Sequence, residues 1–411
     1  MSGRTTGSPR GLLVLLGALS AFGPLSMDLY LPALPQVGDD LDAGQSPVQL
    51  TLSAVAIGLA AGQLVAGPLS DRFGRRGPLL LGVGAWALAS LLCAFSPTVW
   101  VLVAIRVLQG LGGAAGIVLA RAIVRDRYEG TEAARVFAVL ASIGGAAPVL
   151  APVVGGQLLR VTDWRGLFVV LAGIGLALLL AAFWRLPETL SPDRRVAGGL
   201  RTTLGNGRLL LSRGPFVAAV LSQGLAFGAL FTYISGSSFV LQDGYGLSAQ
   251  QFSLVFAANG IGIVLAGQVS RVLVGRTGAR LLTRCGLGLQ TLGAVVLVAA
   301  ALADAGLPVV LPALFVVVAA TGLVLPNATA LAMADAARMA GTASALVGVG
   351  QFAIAGVGAP LAGLGTAGTL LPMAGVMLGF AVLGAIATAF LAGRPDPTDA
   401  PVGEPTATTH A

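Results

Sequence analysis

The stretch "GLLVLLGALSAFGPLSMDLYLPALP" (residues 11–35) carries a single charged residue, Asp28, in an otherwise apolar run. Roughly 20 apolar residues in a helix cross a hydrocarbon core of about 30 Å, so the run reads as a membrane span. The basic residues before it give the start the look of a secretory signal. Because the run continues to Pro35 and many more follow, we read it as an uncleaved first helix.

Similar runs recur from Gly11 to Leu391, separated by short loops that hold most of the charge. The chain has 411 residues, is 56% hydrophobic and only 10% charged, too little polar surface to cover a soluble globule. The pattern predicts an all-α integral membrane protein with twelve transmembrane helices, at about 11–34, 48–69, 77–96, 98–121, 132–159, 164–186, 215–240, 250–273, 280–302, 308–333, 341–365 and 370–393.

Arg72, Arg75 and Arg76 fall in the second connection, Arg121, Arg125, Arg127 and Arg135 around the fourth, and Arg271, Arg276, Arg280 and Arg284 around the eighth. Positive loops stay on the cytoplasmic side, and an even number of spans then predicts that both termini are cytoplasmic. The alternate connections contain Asp39, Asp40, Asp42, Asp243 and Asp304 and face outside. The same pattern accounts for the net charge of +7 without nucleic-acid binding.

The longest connection (187–215), with five arginines and an amphipathic patch near Leu209–Leu211, divides the spans six and six. It predicts an N-terminal bundle (1–186), a cytoplasmic linker (187–215), a C-terminal bundle (216–393) and a disordered tail (394–411). "DRFGRR" (71–76) and "GRTGAR" (275–280) follow the second and eighth spans in a shared frame, and Pro152 corresponds to Pro360. Such internal duplication predicts two pseudo-symmetric six-helix bundles and points to a transporter.

Intramembrane charge is costly and marks bundle interiors or water-filled cavities. With the first helix ending near Leu34, Asp28 lies about 9 Å below the outer surface; Arg106, seven residues into the fourth span, lies about 10 Å below it. The matched depths predict that both face one cavity. Two plainer alternatives stand beside this: Asp28 at the headgroup layer of a shorter helix, and Arg106 as an interhelix anchor. Burial and a nearby arginine pull a carboxyl's proton affinity in opposite directions, which suits a group that changes protonation in a cycle. Each proton moving inward down 100 mV releases about 2.3 kcal/mol, enough for a roughly fifty-fold gradient of a neutral solute.

"GPLSDRFGRR" (67–76) joins a Gly-Pro helix end to an acid and a basic cluster, and Asp71 is placed to hold a neighbouring helix N-terminus or an arginine. "GGAAPVLAPVVGG" (144–156) predicts a hinge or a sealed interface at Pro148, Pro152, Gly155 and Gly156. Gln109, Gln223, Tyr233, Asn259, Asn327 and Gln351 sit at interior depth, as pocket residues or interhelical bonds. With no phosphate-binding loop, two cysteines inside apolar spans and the lone His410 in the tail, no cofactor, metal or enzyme activity is expected.

Together these motifs resemble the major facilitator superfamily, and specifically its bicyclomycin/chloramphenicol resistance subfamily of drug:proton antiporters, over nearly all of residues 11–393. "RVLQGLGGAAG" (106–116) looks like the fourth-helix motif, "APVLAPVVGG" (147–156) like the antiporter motif, and "MDLYLPALP", "TDWRGLF" (162–168), "TYISGSSFVLQDGYGLSAQQFS" (232–253) and "PNATALAMADAARMAGTASAL" (326–346) like the subfamily. Two departures are Gly275 where the N-terminal repeat has Asp71, and no basic counterpart of Arg106 in the tenth helix.

The resemblance implies multidrug efflux by alternating access in the bacterial cytoplasmic membrane, driven by the proton gradient, by a functional monomer carrying a neutral or amphipathic drug. It implies proton coupling through Asp28 and Arg106, a conformational switch at Gly67, Asp71, Arg72, Gly74, Arg75 and Arg76, and a pocket from Tyr30, Gln109, Gln223, Tyr233, Asn259, Gln351 and Phe352. Rival expectations are a metabolite exporter or symporter on the same fold, and a permease subunit driven by a separate ATPase.

Overall fold

The computed structural model describes residues 9–128, 130–195, 200–334, 336, 339–363 and 368–389. The predicted tail (394–411) lies outside them. The helices are α1 (Pro9–Ser20), α2 (Phe22–Asp28), α3 (Leu34–Asp40), α4 (Gln45–Phe73), α5 (Arg76–Ala94), α6 (Val99–Arg127), α7 (Gly130–Leu158) and α8 (Trp164–Arg185). After a short α9 (Leu200–Leu211) come α10 (Gly214–Phe239), α11 (Ala249–Leu302), α12 (Leu307–Ala334), α13 (Ala340–Ala362) and α14 (Leu370–Ala389).

Nine of the described helices are long and apolar enough to cross a membrane, and the bent pair Gly11–Ser20 and Phe22–Asp40, 45° apart, makes a tenth. Helix α11 has 54 residues, about 81 Å and far too long for one crossing. It breaks at Gly278, whose φ of 78° only glycine adopts without penalty. Ala266, before the break, and Gly286, after it, both meet residues 322–324 of α12, so the chain doubles back there. Counting α11 twice and adding α7 gives the twelve spans of the predicted fold.

Three of the described helices start at polar side-chain caps. The Thr98 hydroxyl accepts from Val101 N (3.4 Å), Asp163 accepts from Gly166 N (3.0 Å), and Ser248 with Gln251 closes a reciprocal capping box on α11.

The first span departs from the expectation that it ends near Leu34. The chain breaks at Ala21, passes through a 3-10 turn (Leu31–Ala33) and runs to Asp40. Asp28 therefore stands twelve residues, up to about 18 Å of helical rise, before the end of the span rather than the expected six.

Helices α1 to α8 pack mainly on one another, as do α10 to α14; α4 against α13 and α7 against α11 join the two sets. Where α4 crosses α6, a Cβ on Gly58 would lie 3.0 Å from the Gly110 Cα, so the backbones touch. Contact this close exploits small residues where water drives no association. In the linker, Leu210 of α9 is buried with Phe216, Ala343 and Val347, tying it to the start of α10 and α13.

Candidate functional site

A cavity of about 880 Å³ lies between the halves. Ser20, Gly23, Pro24, Met27 and Asp28 line it at helical spacing, so one face of the broken first span forms its wall. Phe227, Phe231, Phe256 and Phe352 make the opposite wall largely aromatic. Hydrogen bonds between the halves close the aspartate-rich end: Ser238 Oγ to Leu31 O (2.7 Å), Gln242 Nε2 to Pro32 O (3.2 Å), Gln250 Nε2 to Gly156 O (2.8 Å) and Ser46 Oγ to Pro360 O (3.2 Å). The cavity runs toward the arginine-rich end, where the exposed Arg121 of α6 stands at its rim.

Asp28 is the one acid in the cavity wall, 5% exposed, and among the described residues its carboxylate makes no hydrogen bond or ion pair. Arg106 does not share the cavity with it. The arginine is fully buried behind α2, where one terminal nitrogen donates to Ser26 O (2.6 Å) and to Gln109 Oε1 (2.7 Å). Its guanidinium lies 4.9 Å from the Tyr30 ring and 5.4 Å from the Phe168 ring. Ser26 and Asp28 are two residues apart, about 200° around a helix, so Arg106 grips the back of the segment whose front carries the carboxylate. Equal depth was the wrong criterion because it says nothing of direction around the axis. The interhelix-anchor alternative describes the observed geometry.

That back face is a polar knot. Trp86 Nε1 donates to Ser26 Oγ (2.7 Å), Gln109 Nε2 to Ser90 Oγ (2.7 Å), and the Tyr30 and Thr51 hydroxyls lie 2.9 Å apart. Tyr30 and Gln109, predicted pocket residues, belong to this knot and are outside the cavity wall. Ser26, Trp86, Ser90 and Phe168 were not anticipated, since nothing marks a serine or an aromatic within an apolar run.

Of the remaining pocket candidates, Gln223, Tyr233, Gln351 and Phe352 line the cavity and Asn259 does not. Asn259 Nδ2 donates to Tyr233 Oη (2.8 Å), and the tyrosine ring stacks on Phe256 at 5.3 Å, so Asn259 orients a wall residue from behind. Asn327 likewise bonds Ser270 (2.6 Å) away from the cavity. Gln63 and Thr329 line the wall without having been predicted.

The loop cluster lies apart from the cavity. Arg75 holds Asp71 at 2.5 Å, Asp126 at the end of α6 at 2.8 Å and Ser70 at 2.7 Å. Glu188, from beyond α8, accepts from the backbone N–H groups of Arg75 (2.7 Å), Arg76 (3.3 Å), Thr189 (2.9 Å) and Leu190 (3.0 Å). Asp71 thus binds an arginine, and the helix N-terminus it was alternatively expected to hold is capped by Glu188. Burial pushes the Glu188 carboxyl up, but the four N–H donors outweigh it and hold its pKa below the ordinary glutamate value. Burial likewise works against the Arg75 charge, and bonds to Asp126 and Asp71 more than restore it.

Gly74 turns the chain at φ 92°, and any side chain there would collide with Glu188. Gly67, the first residue of the implied switch, has nothing within 4 Å of where a Cβ would stand. Arg76 donates to Phe183 O (2.7 Å), while Arg72 lies over the Phe73 ring at 5.1 Å.

Helix α7 runs unbroken through Pro148, which lines the cavity, and Pro152. Beyond them Gly155 lies against the Leu29 carbonyl, and Gly156 against Ser253 and the Ala249 carbonyl of α11. Of the two expectations for this stretch, the packed seam is the arrangement observed.

The sequence signature of the Major Facilitator Superfamily matches residues 15–360. The "Uncharacterized MFS-type transporter YdgK" of Bacillus subtilis is 38% identical over 93% of this chain and 96% of its own length. The "Bicyclomycin resistance protein homolog" of Haemophilus influenzae is 31% identical over the same shares, 93% and 96%. Among solved structures, a bacterial homolog of the human lysosomal transporter Spinster, described as inward-facing and unoccupied, superposes with a TM-score of 0.72 at 16% identity over 93% of this chain and 97% of that one.

Proposed function

The chain belongs to the Major Facilitator Superfamily and is a membrane transporter rather than an enzyme, and we propose that it exports uncharged or amphipathic antibiotics in exchange for protons. The observation that carries this reading is the unpartnered Asp28 carboxylate, the one acid among the described residues of a largely apolar, aromatic-walled cavity. An ionised carboxylate there costs a few kcal/mol, and a proton or a bound polar drug relieves that cost. Competition between the two for one group is what antiport requires. The name of the Haemophilus influenzae relative supports an antibiotic as cargo.

In this reading the arginine-rich end faces the cytoplasm of a bacterial inner membrane, with both termini inside, following the distribution of arginine between the loops. Asp28 loses its proton inward, drug enters past Arg121, and reprotonation from outside accompanies release. Arg106 contributes by fixing the back of α2, which holds Asp28 toward the cavity. The lipid bilayer and the proton gradient are the only other requirements, and the monomer is the working unit.

The test is a susceptibility panel in an efflux-deficient bacterial host, with bicyclomycin, a neutral cyclic diamide bearing hydroxyls, as the first compound. Wild type raises the inhibitory concentration and Asp28→Asn, expressed at equal level, returns it to the empty-vector value. Equal resistance from the Asn variant would sink the coupling role.

A further inference from the structure

On its C-terminal side the cavity wall carries a chain of neutral polar groups. Thr329 Oγ1 of α12 lies 2.7 Å from Gln223 Oε1 of α10 and 2.8 Å from Leu325 O. Gln223 Nε2 lies 3.0 Å from Gln351 Oε1 of α13. All three residues line the cavity. A hydroxyl has one hydrogen, so Thr329 cannot donate to both oxygens at once.

Each glutamine amide can exchange its oxygen and nitrogen by turning over, which gives the chain two self-consistent directions. When Thr329 donates to Gln223 Oε1, Gln223 donates to Gln351, and the Gln351 amino group faces the cavity as a donor. When Thr329 donates to Leu325 O, its oxygen accepts from a turned Gln223, whose carbonyl accepts from a turned Gln351. The group then presented to the cavity is the Gln351 carbonyl, an acceptor.

We propose that the Thr329–Gln223–Gln351 relay is a reversible subsite for uncharged hydrogen-bonding groups, taking hydroxyls and amides as donors or acceptors alike. It contains no charge, and the one cavity carboxylate, Asp28, belongs to the other half. Across the gap, Gln63 of α4 reaches the same face of α13: its Oε1 lies 3.4 Å from where a Gly348 Cβ would be, one turn before Gln351. A neutral polar group bound at Gln351 is therefore placed to touch both halves. Recognition of neutral polarity sits on the C-terminal half and recognition of charge on the N-terminal half.

The inference rests on the export reading, and its test separates the two. Binding of two probes to the purified full-length protein is measured: the cyclic diamide of the resistance test, and tetraphenylphosphonium, an aromatic cation that cannot hydrogen-bond. Gln351→Met and Gln223→Met weaken the diamide about three- to ten-fold, the worth of one hydrogen bond, and leave the cation within about two-fold. Thr329→Val acts in the same direction and Thr329→Ser restores the wild-type value, a rescue that packing alone does not give. Unchanged cation binding also certifies that each variant is folded.

Diamide binding untouched by both Met variants overturns the subsite while export stands, as does a parallel loss of both probes. Wild type binding the cation but not the diamide also overturns it alone. Wild type binding neither probe overturns the export reading and the subsite together.

Discussion

At the scale of single residues, two acids define the account, and they differ in how they are held. Asp28 has no partner among the described residues, whereas Glu188 accepts four backbone N–H groups that hold its pKa below the ordinary 4.5. A carboxyl with a depressed folded-state pKa stabilises the fold fully above its unfolded value, and that contribution disappears as pH falls through the lower folded value. Glu188→Gln is therefore expected to lower the melting temperature of the detergent-purified protein at pH 7, with the gap to wild type closing as pH is taken below about 4.5. A gap that persisted unchanged into acid would show that Glu188 does not act through its charge. Asp28 was legible in the sequence because a charge in an apolar run is anomalous. Glu188 and Asp126 were not, since acids in polar loops are common and only the folded chain brings them to Arg75.

At the scale of elements, the long apolar runs sufficed to place eleven of the twelve spans, with the end of the fourth furthest off, at 121 against Arg127. The first span was misjudged because apolarity does not distinguish a straight helix from a broken one. Pro24, Pro32 and Pro35 carry the missing signal: each stands in the first turn of a new segment, where its absent N–H costs nothing. In α7 the proline- and glycine-rich stretch left a hinge and a sealed interface open, and its glycines form the packed seam. Because Gly156 lies against Ser253 and the Ala249 carbonyl, a side chain there must separate α7 from α11. In a protein with Cys93 and Cys285 replaced, Ser253→Cys should be slow to react with a membrane-impermeant maleimide from the aspartate-rich side, since Ser253 is buried in the seam. Adding Gly156→Leu should make the same thiol react readily. Protection persisting in the double variant would mean that the seam does not depend on that contact.

At the scale of the molecule, the sequence carried the helical membrane-spanning fold and the charge of its loops, because hydropathy and charge act on whole segments. It did not carry which faces of α2 and α6 meet. That depends on rotation about each axis and on the aromatic and serine partners of Arg106. The outcome is a cavity closed at the aspartate-rich end and reaching the arginine-rich end, with a single acid among the described residues of its wall. The proposed antiport needs Asp28 for coupling more than for passage: in that reading a proton must compete with cargo there for a gradient of one to move the other.

Purified protein reconstituted into vesicles, with an imposed pH gradient and the labelled cyclic diamide, measures this directly. Wild type should accumulate the compound against its gradient and lose that accumulation when the pH gradient is dissipated. Asp28→Asn should still equilibrate the compound across the membrane but never concentrate it. Accumulation by Asp28→Asn equal to wild type, or accumulation by wild type that survives loss of the pH gradient, would contradict proton exchange at this carboxylate.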